Sequence, residues 1–385
     1  MRSSRCAPSC PYLVAAVLTI AGCGSGTPPA PVRPSAAAID SAAMALMARD
    51  TVQGMALAVI EDGQIVHVAA HGWRNAERKL PLDTATIMYG ASLTKAAVGY
   101  LVLQLVDEGT LDLDASIATL LPKPLPEYED YRDLAGDERW RALTPRILLN
   151  HASGFANFRW LEPDQTLRFH FAPGSRYAYS GEGFYILQLV LEEGLGLDVG
   201  RAMQERLFDR FDMPRTAMQW RLDFADNLAD GHALDGTLEP HDERSRVSAA
   251  GSMDTDIADQ ARFWAAVVRG EALSPTSRAE LVRPQLAITS RQQFPTLREG
   301  RGEWDRTVEL SAGLGVVTFR DHSGPAWFKG GHNDWTGNMV LCLESGRRCV
   351  VLLGNDVRAE RIYPELVEFI LGPTQMPWGW EYGVP

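Results

Sequence analysis

The sequence predicts a mixed α/β fold in which one sheet is assembled from both ends of the chain and interrupted by a long helical insertion. Three observations carry this. Strand-like runs gather near the N-terminal end ("MALAVIEDGQIVHVAAHG") and again near the C-terminal end ("AGLGVVTF", "AWFKGG", "NMVLCLE", "RCVVLLGN"). Between them, residues 116–305 alternate helical stretches with Pro/Gly turns, as in "TPRILLNHASGF", "GEGFYILQLVLEEGLG" and "MDTDIADQARFWAAVVRG". With 385 residues, 45% apolar and 22% charged, the chain has ordinary globular composition and ample material for a core.

The first residues read as a targeting segment. Arg2 and Arg5 precede an apolar run, "PYLVAAVLTIAG", too short to span a bilayer at ~20 residues but suited to a signal-peptide core. The run ends in Ile20-Ala21-Gly22-Cys23, which resembles a bacterial lipoprotein box, with Cys23 as the lipidated residue. Plain signal cleavage is one alternative, because Ile20 is a less usual first residue than leucine, and an uncleaved anchor is the other. Residues 24–37, "GSGTPPAPVRPSAA", read as a flexible tether. An exported protein, periplasmic or cell-surface and held to the membrane only by its N-terminal lipid, is the expectation.

The folded part begins at "IDSAAMALMARDTV", a helix with Asp40 or Ser41 as its expected cap. Glu61-Asp62-Gly63 then marks a hairpin. A helix containing Lys95 follows and ends near Gly109. Near the C-terminus, "LESGRR" separates two apolar runs and predicts a second hairpin turning at Ser345-Gly346, which sets Cys342 opposite Cys349. In an oxidising compartment these two can form a cross-strand disulfide; two buried free thiols are the other reading. The helix "AERIYPELVEFIL" tolerates Pro364 in its first turn. The chain therefore divides into a signal segment 1–23, a tether 24–37, a sheet-containing part 38–115 with 306–372, a mainly helical insertion 116–305, and an aromatic tail 373–385, "QMPWGWEYGVP" at its core, for which the sequence offers no role.

The formal net charge is −12 with basic residues scattered, which argues against nucleic acid. No Cys/His spacing suggests a metal, and His67, His71 and His151 follow strand or loop patterns and read as structural. No cofactor is expected, and the oligomeric state stays open.

Chemistry concentrates in three places. In "YGASLTKAAVGYLVLQ", Ser92 and Lys95 stand one helical turn apart at a helix start. A serine is a weak nucleophile until a neighbour takes its proton, and a lysine becomes that base when burial or an adjacent cation lowers its pKa. Only four lysines occur, Lys79, Lys95, Lys123 and Lys329, so S-x-x-K is not a casual match; the alternative is a capping serine beside a surface lysine. The second place is Tyr179-Ser180-Gly181, where a tyrosine between two ammonium groups is expected to have a lowered pKa and to shuttle protons. Alternatively Tyr179 is a core residue. The third is Lys329-Gly330-Gly331, whose glycines let a substrate lie along a strand edge while Lys329 offers a point charge; a glycine turn with an exposed lysine is the plain alternative.

The ordered set S-x-x-K, Y-S-x, K-x-G resembles the serine β-lactamase and penicillin-binding protein superfamily, specifically its class C β-lactamase-like branch, which includes D,D-peptidases and carboxylesterases. Supporting segments are "TPRILLNHASGF", "AAGSMDTDIADQARF" and "FKGGHNDWTGNMVLCLESGRRCVVLLGN", and the likeness covers roughly residues 40–370. It implies an α/β (α+β) β-lactamase/transpeptidase-like fold, an antiparallel sheet flanked by helices with an inserted all-helical subdomain. It also implies a serine hydrolase acting through an acyl-enzyme on an amide or ester carbonyl, of a β-lactam or a D-Ala-D-Ala-type peptide. Ser92 would be the nucleophile, Lys95 its base or relay, Tyr179 the acylation and deacylation partner, and Lys329 the stabiliser of a tyrosinate and holder of a substrate carboxylate. Backbone N–H groups of Ser92 and His332 would form the oxyanion hole.

Two departures stand out. Gly181 replaces the asparagine usual in lactamases, and Gly330 replaces a threonine, so both positions, with Gly331, become candidates for altered substrate binding. Glu182 and His332 are the candidate replacements, with a solvated-loop role as the alternative. Two further functions remain: a carboxylesterase of the same fold, or a catalytically weak peptidoglycan- or ligand-binding protein.

Overall fold

The computed structural model describes residues 33–298 and 300–383. The expected signal segment, Cys23 and most of the tether lie outside these residues. A nine-stranded antiparallel sheet runs, in spatial order, through Leu80–Pro81, Gln64–Asn75, Gly54–Glu61, Arg348–Gly354, Gly337–Leu343, Gly324–His332, Val317–Asp321, Ser311–Ala312 and Leu286–Ala287. N-terminal and C-terminal strands meet where Gly54–Glu61 pairs with Arg348–Gly354, so the sheet does draw on both ends of the chain.

The central strands are apolar throughout because both faces are covered. Along Gly54–Glu61, Ala56, Ala58 and Ile60 enter one core while Met55, Leu57 and Val59 enter the other, the two-residue period of a strand. The first core holds the helices Leu93–Asp107 and Ile257–Arg269 and the helical region beyond them. The second holds Ala36–Asp50 and Tyr363–Leu371, together with Trp378 and Trp380 of the tail. Among the described residues no helix is long and apolar enough to cross a membrane.

The hairpins at Asp62-Gly63 and Ser345-Gly346 form as expected, with Gly63 and Gly346 at positive φ. Cys342 and Cys349 are direct cross-strand partners and are joined by a disulfide. Pro364 sits in the first turn of Tyr363–Leu371.

The first helix starts earlier than expected. It begins at Ala36, inside the segment read as tether, and Ser35, not Asp40 or Ser41, caps it by accepting from the Ala38 N–H. Three alanines favour helix there and extend it backwards. Asp40 is used elsewhere: its carboxylate meets His67 (2.8 Å) and His71 (3.2 Å), clamping the helix to the sheet. Both histidines are structural, as their strand patterns suggested. The stretch 116–305 is not purely helical, since the two-residue strands Gly231–His232, Leu238–Glu239, Asp254–Thr255 and Leu286–Ala287 lie within it.

Candidate active site

Ser92 is presented by a tight turn. Ala91 is held at φ 46°, a costly left-handed conformation for a residue with a β-carbon, and the helix Leu93–Asp107 starts immediately after Ser92. Packing enforces the turn: Gly90 N–H donates to the Met253 carbonyl, and the Asn338 side-chain amide donates to the Tyr89 carbonyl. The serine side chain makes no capping bond, so the alternative of a mere N-cap falls away. Leu93, Thr94 and Lys95 N–H groups are taken by the carbonyls of Gly90, Ala91 and Ser92, whereas the Ser92 N–H has no acceptor among the described residues. It points out of the positive end of a helix, a setting that favours developing negative charge.

Lys95 lies one turn on and is fully buried, its Nζ 3.0 Å from Ser92 Oγ and donating to the Ala250 carbonyl. Burial, reinforced by the charge of Lys329, holds its pKa well below the ordinary lysine value. This is the condition set for a lysine base.

Tyr179 precedes the helix Gly181–Leu189, with Ser180 as that helix's cap through the Gly183 N–H. Its ring has Lys95 Nζ and Lys329 Nζ each 5.0 Å from its centroid, and Lys329 Nζ is 3.4 Å from its hydroxyl. The tyrosine therefore does sit between two lysines. Its acidity moves opposite to expectation: burial raises the phenol pKa, and the neighbouring Ser92 hydroxyl only partly offsets this. Desolvation wins because the ring is packed against neighbours, stacked on His151 at 4.2 Å and edge-on to Phe294 at 5.2 Å. Burial thus favours the neutral phenol over the expected tyrosinate. His151, structural as expected, also orients this ring and accepts from the Ser180 N–H at Nδ1.

Lys329 is buried on the strand Gly324–His332. Burial lowers its pKa to about 8, with Glu381 pulling back upward. The neighbouring strand pairs only as far as Phe328, so residues 329–332 leave one edge open beside the nucleophile. Gly331 is needed for that approach: a β-carbon there would fall 3.1 Å from Ser92 N and 2.9 Å from Leu93 N.

Together Ser92, Tyr179, Lys329, Gly330 and His332 line one cleft of about 200 Å³. Glu182 does not join them. Its carboxylate is fully buried in a bidentate contact with Arg159, whose Nη2 lies 2.8 Å from Oε2, so it is held away from this cleft and does not sit in a solvated loop. The cleft contains residues the sequence did not single out: Asn157, Phe158, Gln293, Phe294 and Glu381. Two of them explain the glycines. A β-carbon on Gly181 would fall 2.2 Å from a ring carbon of Phe158, and one on Gly330 would fall 2.0 Å from Glu381 Oε1. Aromatic ring and carboxylate thus occupy the space where longer side chains would stand. Among the described residues no group of three His, Cys, Asp or Glu side chains is arranged to hold a metal ion.

A buried serine–lysine pair with a phenol between two lysines, on an antiparallel sheet flanked by helices, is an arrangement suited to acyl transfer. Comparison with known proteins places the chain in a family. A family model described as Beta-lactamase matches residues 39–370, and the chain belongs to that family. A D-aminopeptidase of Gluconobacter oxydans (strain 621H) is 26% identical over 191 residues, covering 47% of this chain and 35% of that protein. A putative D-alanyl-D-alanine carboxypeptidase of Escherichia coli (strain K12) is 22% identical, covering 84% of both chains. The crystal structure of the D-alanine carboxypeptidase AmpC from Burkholderia cenocepacia superposes with a TM-score of 0.67 at 17% identity, over 88% of this chain and 99% of that one. Matches to the first curated relatives span 35% to 57% of their length. The antiparallel sheet with flanking helices expected from the motifs is the fold these structures share.

Proposed function

We propose that this protein is a serine hydrolase that cleaves an ester or amide carbonyl through an acyl-enzyme on Ser92. The observation that carries this is the 3.0 Å approach of Lys95 Nζ to Ser92 Oγ in a buried setting that lowers the lysine pKa and so favours the neutral amine. Ser92 Oγ attacks the carbonyl carbon as its proton passes to Lys95 Nζ. The tetrahedral oxyanion takes hydrogen bonds from the Ser92 and His332 N–H groups, where losing one such donor costs ~3 kcal/mol. The bond to the leaving group breaks as the Tyr179 hydroxyl gives it a proton and is reprotonated from Lys95. Water then attacks the acyl carbon, loses its proton along the same path, and releases Ser92 Oγ as the hydroxyl with a free acid.

Among the substrates the motifs suggest, the geometry supports an ester or uncharged amide over a β-lactam or D-Ala-D-Ala peptide. Phe158 covers Gly181, leaving no side-chain amide at that position, and the Lys329 charge already faces a protein carboxylate, Glu381, across the same cleft. This favours the carboxylesterase-like reading. An exported, lipid-anchored location through Cys23 is proposed on the N-terminal sequence pattern, and radiolabelled palmitate incorporation lost in Cys23→Ala is its test.

The test of the hydrolase reading is pre-steady-state turnover of p-nitrophenyl acetate. A burst of about one nitrophenolate per protein, absent in Ser92→Ala, is expected. Equal turnover by the two proteins would remove the proposal.

A further inference from the structure

The tail is the part of the chain to which neither sequence nor family assigns a role. In the structure it folds back onto the active site. Trp380 is buried in the second core, donates Nε1–H to Ser290 Oγ (3.1 Å), and accepts from Gln293 N–H through its carbonyl (2.9 Å). Tyr382 donates its hydroxyl to the Asn338 carbonyl at 3.0 Å. Pinned on both sides, Glu381 projects into the cleft that holds Ser92, Lys329 and His332. Its Oε2 accepts from Gln293 Nε2 at 2.6 Å, and its Oε1 occupies the place a side chain at position 330 would take.

We propose that Glu381 is a specificity-determining residue: it answers the Lys329 charge from within the protein, so the site takes acyl substrates with an uncharged leaving group and rejects those carrying a carboxylate beside the scissile bond. This rests on the hydrolase reading above. The charge balance supports it. Lys329 and Glu381 line the same cleft and the ionised carboxylate offsets the lysine charge, while His332 is matched by Glu360 at 2.9 Å, so an incoming carboxylate meets no unopposed cation. A fixed carboxylate at the position of a strand side chain also repels a second one at short range, in a cleft where water screens poorly.

The proposal has a pH signature. Burial lifts Glu381 to about 7 while Lys329 and His332 pull it down and Glu360 pushes it up; Tyr177, Tyr179 and Tyr382 also face it, and burial raises all three. As pH rises through about 7, Glu381 ionises and rejection of carboxylates should strengthen, and loss of the Lys329 charge around 8 adds to it at the upper end.

The test uses two acetates that form the same acyl-enzyme, 3-acetoxybenzoate and the uncharged 3-acetoxybenzamide, with the full described chain. The ratio of kcat/KM, amide-bearing over carboxylate-bearing, should be large and should rise severalfold between pH 6 and pH 8 in the wild type. In Glu381→Gln it should fall tenfold or more and lose its inflection near pH 7. A ratio unchanged within twofold by Glu381→Gln, or flat with pH in the wild type, overturns the proposal. Reaction of wild-type Ser92 with a fluorophosphonate separates the two levels. Labelling with an unchanged ratio defeats the Glu381 assignment alone, while no labelling and no turnover defeats the hydrolase reading and this inference with it.

Discussion

Glu381 Oε1 lies 2.0 Å from the point where a β-carbon on Gly330 would stand, although 51 positions (381 minus 330) separate the two residues in the chain. The glycine and the carboxylate form a matched pair, and neither is explained without the other. Phe158 and Gly181 form a second such pair at 2.2 Å.

Adding a side chain at position 330 should therefore be costly only while Glu381 is present. Gly330→Ala is expected to destabilise by about 1–3 kcal/mol, the usual range for overpacking. Combining it with Glu381→Ala should recover 1 kcal/mol or more relative to additivity, read from urea unfolding in a double-mutant cycle. Strict additivity would show that the two groups do not compete for space.

The Phe158 pair predicts a parallel result with activity as the readout. Gly181→Asn should reduce aryl-ester kcat/KM at least tenfold by driving the Phe158 ring into the cleft. Gly181→Asn with Phe158→Ala should restore most of it. Failure of the second change to rescue the first would mean that Gly181 is required for a reason other than this ring.

Lys95 should be indispensable as a base. Lys95→Met is expected to lower kcat by ~10²–10⁴, the usual contribution of a positioned general base. The sign of the pH dependence follows from its depressed pKa. Below that pKa the amine is protonated and inactive, so kcat/KM rises with pH and levels off well below 10.5, the ordinary lysine value. Because the Lys329 charge contributes to the depression, Lys329→Met should move the rise to higher pH. An unmoved profile would separate the two lysines electrostatically.

Arg159 is expected to carry stability through Glu182. Its removal leaves a fully buried carboxylate without its partner, which costs about 3–5 kcal/mol in comparable settings. Urea unfolding of Arg159→Ala should show this loss, and Arg159→Ala with Glu182→Gln should regain part of it.

The parts of the site legible in the sequence are those set by local spacing. Ser92 and Lys95 are fixed relative to each other by one helical turn, and the pairing of Cys342 with Cys349 by counting from a turn. Tyr179 and Lys329 were legible through motif order, and the structure does bring all four together around one cleft. What escaped depends on distant packing. The neutral phenol of Tyr179 reflects rings from His151 and Phe294 closing over it. Glu182 was drawn from the site by Arg159, a residue with no marked pattern around it. Ser35 displaced the expected cap because helix propensity extends the helix backwards, freeing Asp40 for two histidines. The tail carried only an aromatic signal, and its carboxylate acquires meaning once Trp380 is buried beside Ser290 and Gln293.

In the proposed mechanism Ser92 becomes covalently acylated because Lys95 takes its proton. Intact-protein and peptide mass spectrometry after exposure to a fluorophosphonate tests it directly. A single adduct is expected on the peptide containing Ser92 in the wild type, with none in Ser92→Ala and strongly slowed labelling in Lys95→Met. An adduct that persists in Ser92→Ala, or labelling of Lys95→Met at the wild-type rate, would contradict it.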